Sequence, residues 1–181
     1  MNIVEELVKK YEGKYSEEVD RGINYPTGKY TFYPQRGIIK VDGTIISINI
    51  KAVGGAARTA EPYRIMLELD KDYGISPFRI FPKSTVKKII GSIFANDNLN
   101  IPDPINKQFS FKGNDALTKA LVSDYTFCDN IKNEKVYILI SEKYPQHIVL
   151  TPAYGIDDLV QFEKFLNILK FIESKVKRNS T

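Results

Sequence analysis

The chain has few of the residues that most often carry enzyme chemistry. Its 181 residues include one histidine, one cysteine and no tryptophan. A single histidine excludes a zinc site built on several histidines, and a single cysteine excludes an internal disulfide and the usual structural zinc sites. We therefore predict no metal and no cofactor. The lone cysteine also fits a reducing compartment.

Long hydrophobic runs are missing as well. No stretch of about 18 apolar residues is present, so the sequence predicts no transmembrane segment. The first residues, MNIVEELVKKYEG, carry acidic side chains from Glu5 onward and are not followed by the apolar core of a signal peptide. The expected location is the cytoplasm.

The charge balance is mild. The chain has 26 basic and 22 acidic side chains and a net charge of +4. Its densest basic cluster is Lys175, Lys177 and Arg178, which is typical of a solvated helix end, where cations favour the helix dipole. Because nucleic-acid binders concentrate positive charge on one face, no nucleic acid is expected as a partner.

The first half of the chain is predicted to be rich in strands. Residues 2–11 carry apolar side chains at helical spacing, which predicts a short amphipathic helix, and residues 14–28 resemble an irregular connection. From residue 29 onward, apolar residues recur at every second position, as they do in strands. Strands are predicted at 29–33, 38–41, 44–52, 63–70 and 78–81, with turns at 34–37 and at Asp42-Gly43.

Helices become more frequent in the second half. Ser84 is predicted to cap a helix that runs to Phe94, and residues 96–107 are predicted to form a loop. The next helix caps are expected at Asn114 or Asp115, at Asp124 and at Asp157, the last of which begins a long helix to about Lys177. The long helix has an inward stripe of Phe162, Phe165, Leu166, Leu169, Ile172 and Val176. Strands are predicted at 109–112, 136–141 and 148–151, with a turn at Tyr144-Pro145-Gln146.

These elements predict the α+β class, because strands and helices do not alternate strictly as they do around a parallel sheet. We expect a twisted antiparallel sheet with helices packed on one face and a long C-terminal helix. Residues 1–181 are expected to form a single domain. Within it, residues 1–28 form an N-terminal helix and an irregular arm, residues 29–82 form a strand-rich part, and residues 83–181 form a mixed part.

The stretch IPDPINKQFSFKGNDALTKALVSD resembles a pattern in a loose group of uncharacterised bacterial α+β domain proteins. In that pattern a loop leads to a short strand, a Gly-Asn-Asp cap and a helix that ends near a second Asp. The segments VYILISE, HIVLTP and YRIMLEL and the helix after Asp157 are similar to the rest of it. The resemblance implies this fold and a bacterial origin, and it carries over no activity or catalytic residue. Members often have hydrophobic helices ahead of the domain, which are not expected here.

Gly54, Gly55 and Arg58 form the candidate binding site of the sequence. Successive backbone amides in a glycine turn can hold an anion, and a nearby guanidinium adds positive charge. The spacing does not match a phosphate-binding loop ahead of a helix, so a plain hairpin connection explains these residues equally well.

His147 and Cys128 are the other residues with recognisable chemistry. A cysteine nucleophile paired with His147 would need a lowered thiol pKa. Cys128, beside Phe127, instead fits the apolar side of a short helix, where a free cysteine acts as a small hydrophobe. A lone histidine at a strand end is weak evidence for a site. No catalytic residue is predicted.

Two further groups have structural explanations. The carboxylates Asp97, Asp103 and Asp115 lack metal-ligand spacing and fit loop and helix-start positions. A possible stacking platform for single-stranded nucleic acid consists of Tyr25, Tyr30, Phe32 and Tyr33 with Lys29 and Arg36. Strand alternation places one of these aromatic pairs in the core, and the low net charge argues against the platform.

The sequence therefore favours a non-enzymatic intracellular bacterial domain that binds a partner or ligand through its sheet or loops. The expected partner is a protein or a small anionic ligand. One alternative is a small hydrolase or transferase with an unrecognised site. Another is a peripheral membrane protein that uses the first helix and the basic C-terminus. The apolar face of the first helix is expected to dock on the sheet or to form a homodimer.

Overall fold

An antiparallel sheet of eight strands organises the described part of the chain. A computed structural model describes residues 3–17, 23–25, 28–30, 35–50, 63–83, 100–156 and 158–179. The strands of the sheet are β1 (Lys14–Glu17), β4 (Gln35–Val41), β5 (Thr44–Ile50), β6 (Tyr63–Glu68), β7 (Phe78–Pro82), β8 (Phe109–Gly113), β9 (Val136–Ser141) and β10 (Tyr144–Pro152). The short strands β2 (Ile23–Tyr25) and β3 (Gly28–Tyr30) pair with each other outside this sheet.

The described helices all contribute to one side of the sheet. They are α1 (Ile3–Lys10), α2 (Asp103–Gln108), α3 (Asp115–Val122), α4 (Tyr125–Ile131) and α5 (Leu159–Asn179). Buried apolar side chains from each of them join a common core with the sheet. The predicted α+β class is confirmed, with its antiparallel sheet, its helices on one face and its long C-terminal helix.

The strand order mixes distant parts of the chain. It runs β1-β4-β5-β6-β10-β9-β7-β8, and all neighbours are antiparallel. Strand β1 comes from the predicted N-terminal arm, β4–β7 come from the strand-rich part, and β8–β10 come from the mixed part. All three predicted parts therefore share one hydrogen-bonded sheet.

The hairpin of β4 and β5 is confirmed as predicted. Asp42 and Gly43 have φ values of 47° and 80°, the positive values that a type I′ turn needs. This turn places Val41 opposite Thr44 and Ile39 opposite Ile46. Because directly paired residues share a face, this register directs the isoleucines at even positions of β5 into the core.

Among the described helices, α5 contributes the most buried apolar side chains to the core. Its predicted stripe is confirmed, and the buried residues are Phe162, Phe165, Leu166, Leu169, Ile172 and Val176, joined by Ile168. The backbone amide of Gln161 donates to the Asp158 carboxylate over 2.7 Å, so Asp158 caps the helix start. Asp157, the predicted cap, lies outside the described residues.

Helix α1 docks on the sheet of its own chain. Val4, Leu7 and Val8 are buried in the core, and the helix lies over β4. A Cβ atom at Gly37 would lie 2.7 Å from Val8 Cγ2 and 3.0 Å from Val4 Cγ1, so the helix approaches this strand where a side chain is missing. The apolar face of α1 is thus covered within the chain. The predicted homodimer through this helix relied on that face being exposed, so this support for it is removed.

Two predictions for the N-terminal part are wrong. Residues 14–28 were expected to be irregular, but they include β1 and β2, and β3 begins at Gly28. The turn predicted at 34–37 is also wrong from residue 35 onward, because β4 begins at Gln35. Strand β1 is short and mostly exposed, so it has little apolar periodicity, and its pairing with β4 determines its conformation.

Two predictions in the second half are also wrong. The predicted loop at 96–107 contains most of α2, whose first turn includes Pro104. Proline is tolerated there because the first amides of a helix have no intrahelical partner. The predicted turn at Tyr144-Pro145-Gln146 belongs to β10, which has a register shift between Tyr144 and Val149.

The caps of the two short helices are confirmed. Asn114 Oδ1 accepts from the amide of Leu117 over 2.9 Å at the start of α3. Asp124 Oδ1 accepts from the amides of Thr126 and Phe127 at the start of α4. The helix predicted at 84–94, the strand residues 31–33 and the predicted β5 residues 51 and 52 lie outside the described residues.

We expect Gly37→Ala to destabilise the fold by about 1–3 kcal/mol, because the added methyl overpacks the contact with α1. Guanidinium chloride titration measures this change in the free energy of unfolding. Val8→Ala removes the nearest methyl groups, so the double variant should lose less stability than the sum of the two single variants. If the stability losses of the two single variants simply add in the double variant, α1 does not pack tightly against Gly37.

Candidate functional site

The second face of the sheet carries no described helix. We call it the open face, and it consists of the strand side chains that alternate with the core residues of β1 and β4–β10. Its register is continuous, because Ile38 pairs with Ser47, Ser47 with Met66, Met66 with Val149 and Val149 with Leu139. The same row continues through Arg79 to Lys112. Paired residues share a face, so distant segments contribute to one surface.

Positive charge is concentrated on the open face. Its basic residues are all exposed and comprise Lys14, Arg36, Lys40, Arg64, Arg79 and Lys112. Glu68 is the one acidic side chain that the described strands place there. Six cations and one carboxylate give this face a net charge of +5, whereas all described residues together have 21 basic and 17 acidic side chains and a net charge of +4. The rest of the described part therefore has a net charge of −1, and its positive charge is concentrated on one side.

The three arginines of the open face have no partners in the described part of the chain. Arg36, Arg64 and Arg79 form no ion pair or hydrogen bond with any described residue. Arg36 pairs with Asn49 across β4 and β5, and Asn49 pairs with Arg64 across β5 and β6. Adjacent strands lie about 4.8 Å apart, which separates these two arginines by roughly 10 Å. Guanidinium groups in such an array can bind anionic oxygens through paired hydrogen bonds.

Aromatic and aliphatic side chains lie between the cations. Tyr137 is 50% exposed and Ile45 is 47% exposed, while Met66, Leu139 and Val149 are half-buried. The Lys112 ammonium lies 5.6 Å from the centre of the Phe81 ring. The open face therefore combines charge with apolar contact area, as binding surfaces commonly do.

The binding site predicted from the sequence lies outside the described residues. This holds for Gly54, Gly55 and Arg58. Of the predicted aromatic platform, only Arg36 has a described side chain, and it lies on the open face. The open-face cations were missed because they come from five strands and never cluster along the chain. The sequence did contain one signal for them, because each cation lies at a strand position that alternates with the positions facing the core.

His147 and Cys128 lie on opposite sides of the sheet. His147 alternates with the buried Ile148 on β10 and so belongs to the open face, where it pairs with Glu68. Its Nδ1 is buried with no hydrogen-bond partner among the described residues, and its ring is edge-on to Tyr144. Cys128 packs against the core on the helix side. The sheet therefore separates the two groups that a thiol–imidazole pair would need.

The environment of Cys128 disfavours a thiolate. Burial raises the thiol pKa, and the nearby Asp124 carboxylate raises it further. The thiol donates to the Val122 carbonyl oxygen over 3.4 Å. A catalytic cysteine needs the opposite shift, so this one serves packing.

The acidic candidates have local roles. Asp103 lies in the first turn of α2 and pairs with Lys107 over 3.0 Å, and the exposed Asp115 lies in the first turn of α3. Asp97 lies outside the described residues. Within the described ranges no three His, Cys, Asp or Glu side chains gather as metal ligands.

The basic C-terminal cluster makes ion pairs within the chain. Lys177 Nζ lies 2.8 Å from Glu173 and 3.5 Å from Asp70, and Lys175 Nζ lies 3.9 Å from Asp124. Much of its charge is therefore compensated. In the described part of the chain, no helix has the length and apolar character needed to cross a bilayer.

Glu173 is the centre of a buried polar network on the helix side. Its side chain belongs to a residue that is 3% exposed, and it contacts Thr44 Oγ1 over 2.8 Å, Lys177 Nζ over 2.8 Å and Lys170 Nζ over 2.6 Å. Burial raises the pKa of Glu173, but the hydrogen bonds from Lys170, Lys177 and Thr44 outweigh it and hold the pKa below its ordinary value. Since every oxygen has a donor, the network fastens α5 to the start of β5.

We expect Glu173→Gln to cost about 1–3 kcal/mol at neutral pH, because it removes charge-assisted hydrogen bonds. The depressed pKa means that the carboxylate stabilises the fold above pH 4.5, its ordinary pKa, and that this contribution is lost as the pH falls through the folded-state pKa. The difference between wild type and variant should therefore shrink in acid.

Thermal unfolding across this pH range measures the effect. Glu163→Gln is the matched control on the same helix, because Glu163 pairs with Lys10 at the exposed surface. We expect it to lose much less stability. Identical pH profiles for the two variants would contradict the role assigned to Glu173.

We expect Cys128 to react slowly with a disulfide reagent such as 5,5′-dithiobis(2-nitrobenzoic acid) at neutral pH. The raised thiol pKa and the half-buried position both lower the concentration of accessible thiolate. Reaction should accelerate strongly in guanidinium chloride. A native rate above that of free glutathione would contradict a packing role.

Comparison of the chain with protein-family models, with curated proteins and with solved structures finds no match to any of them.

Proposed function

We propose that this protein is a non-enzymatic binding domain whose open face binds an anionic partner. The observation that carries the proposal is the charge asymmetry, with six cations and one carboxylate on a sheet face that no described helix covers. Surface cations that are paired with acidic side chains attract anions only weakly. Unpaired arginines on one side of the molecule instead produce an electric field that steers anions toward that side. The intracellular setting, which the single cysteine supports, and the bacterial origin, which the sequence resemblance implies, remain part of this proposal.

The enzyme alternative receives no support from the described residues. Its two candidate groups, Cys128 and His147, lie on opposite sides of the sheet, and the thiol pKa is raised. The peripheral-membrane alternative relied on the apolar face of α1 and on the basic C-terminus. The first is buried in the core, and the second is largely paired with acidic side chains.

The proposal predicts that the protein is retained on a heparin column at low salt, because heparin is a generic polyanion. A triple variant with Arg36→Gln, Arg64→Gln and Arg79→Gln should elute at clearly lower salt than wild type. Electrostatic binding to exposed cations weakens as salt screens the charges.

A matched control variant carries Lys9→Gln, Lys119→Gln and Lys132→Gln, which are exposed lysines outside the open face. Both triple variants lose three charges from +4 and have a net charge of +1, so a difference in total charge cannot explain a difference in elution. Circular dichroism and melting temperature check that both fold. Equal elution of the two variants, or no retention of wild type, would overturn the proposal.

A further inference from the structure

We propose that the anionic partner is a single-stranded nucleic acid, which lies across the strands with its phosphates on arginines and a base stacked on Tyr137. This inference rests on the proposed function and specifies the occupant of the same face. The contacts belong to one cross-strand row, which we call the arginine–aromatic row. It consists of Arg36, Asn49, Arg64, Thr151, Tyr137 and Phe81.

The strand register builds this row. Arg36 pairs with Asn49 and Asn49 with Arg64, while Thr151 pairs with Tyr137. The two segments join because Leu150 pairs with Ile65, which places the next residue of β10, Thr151, beside Arg64. Phe81 follows Ile80, the partner of Ile138, and so lies beside Tyr137. The row therefore runs without interruption from β4 to β7.

The dimensions of the row suit a short single strand. Five strand intervals of about 4.8 Å span roughly 24 Å. Arg64 lies about 10 Å from Arg36 on one side and about 10 Å from Tyr137 on the other. Single-strand binding sites on sheet surfaces take roughly 4–16 nucleotides, and this row lies at the lower part of that range.

Along the row, charged, hydrogen-bonding and aromatic side chains follow one another. Arg36 and Arg64 are exposed and unpaired within the described residues, and Tyr137 is half exposed. A single strand offers both phosphates and unpaired base faces, and bases stack on aromatic side chains without needing a defined sequence. Asn49 and Thr151, between these groups, supply donors and acceptors for base edges.

The charge distribution along the strands also favours this row. Glu68, the acidic side chain of the open face, lies four residues from Arg64 on β6, about 13 Å away along the strand. The mild total charge of the chain disfavours nucleic acid only where that charge is spread evenly, and the fold concentrates it on the open face. An acidic protein would use the arginines, but it would not require an exposed ring in line with them.

Fluorescence anisotropy with a fluorescein-labelled oligo(dT) of about 12 nucleotides tests the inference. Tyr137→Ala should weaken binding by about tenfold, because base stacking on the ring is lost. Tyr137→Phe should keep the affinity within about twofold, since the stacking ring remains. Tyr125→Ala is the matched control at a tyrosine that is 83% exposed on α4, and it should have no effect.

The contribution of the arginines is measured by the dependence of the binding affinity on salt concentration. Arg36→Gln and Arg64→Gln should each lower the slope of log affinity against log salt concentration by about one, as expected for the loss of one phosphate contact. A duplex of the same length should bind more weakly than the single strand, because its base faces are stacked. Unchanged melting temperatures establish that the variants are folded.

Each result has one meaning. Heparin retention that depends on the arginines, without oligo(dT) binding, overturns this inference and leaves the proposed function standing. If heparin and poly-L-glutamate bind but oligo(dT) does not, the partner is an acidic protein and the inference is again overturned. Equal binding of duplex and single strand, with no effect of Tyr137→Ala, also overturns it. Failure to bind heparin, poly-L-glutamate and oligo(dT) overturns both proposals.

Discussion

Helix α5 packs against one face of the sheet, and this contact sets which side of each strand faces the core. Its buried stripe meets the inward side chains of the central strands, and the shorter helices add to the same core. Burial of apolar area is the main favourable term in folding, so the strands direct most of their isoleucines and phenylalanines to that side. The alternation of a strand then directs its polar side chains to the other side.

The charge of the open face follows from this one-sided packing. A guanidinium cannot be buried without a partner at acceptable cost, so cations within the strands occupy the side that no described helix covers. The antiparallel register then lines up cations from strands that are far apart in the chain, as it does for Arg36 and Arg64 through Asn49. On the helix side the buried carboxylate of Glu173 is compensated instead, and it joins α5 to the hairpin through a fully bonded network. Glu173 thus stabilises the fold through its paired charge, whereas the arginines of the open face are exposed.

Much of the fold could be predicted because local signals and tertiary packing agree there. The Asp42-Gly43 turn, the caps at Asn114 and Asp124 and the stripe of α5 each have a strong local cause. The errors fall where tertiary pairing decides the conformation. Strand β1 is short and polar, and it exists because β4 offers it an edge. Gly37 suggested a turn, whereas its missing side chain makes room for α1 within a strand.

Periodicity and composition are local properties, and they were enough to predict the class of the fold, the inward faces of its main elements and the scarcity of catalytic groups. The separation of His147 from Cys128 by the sheet and the gathering of the cations on one face are visible only in the folded chain. Strand order and register set those positions, and they depend on pairing between segments far apart in the chain. A mild net charge of +4 therefore concealed a strongly charged surface.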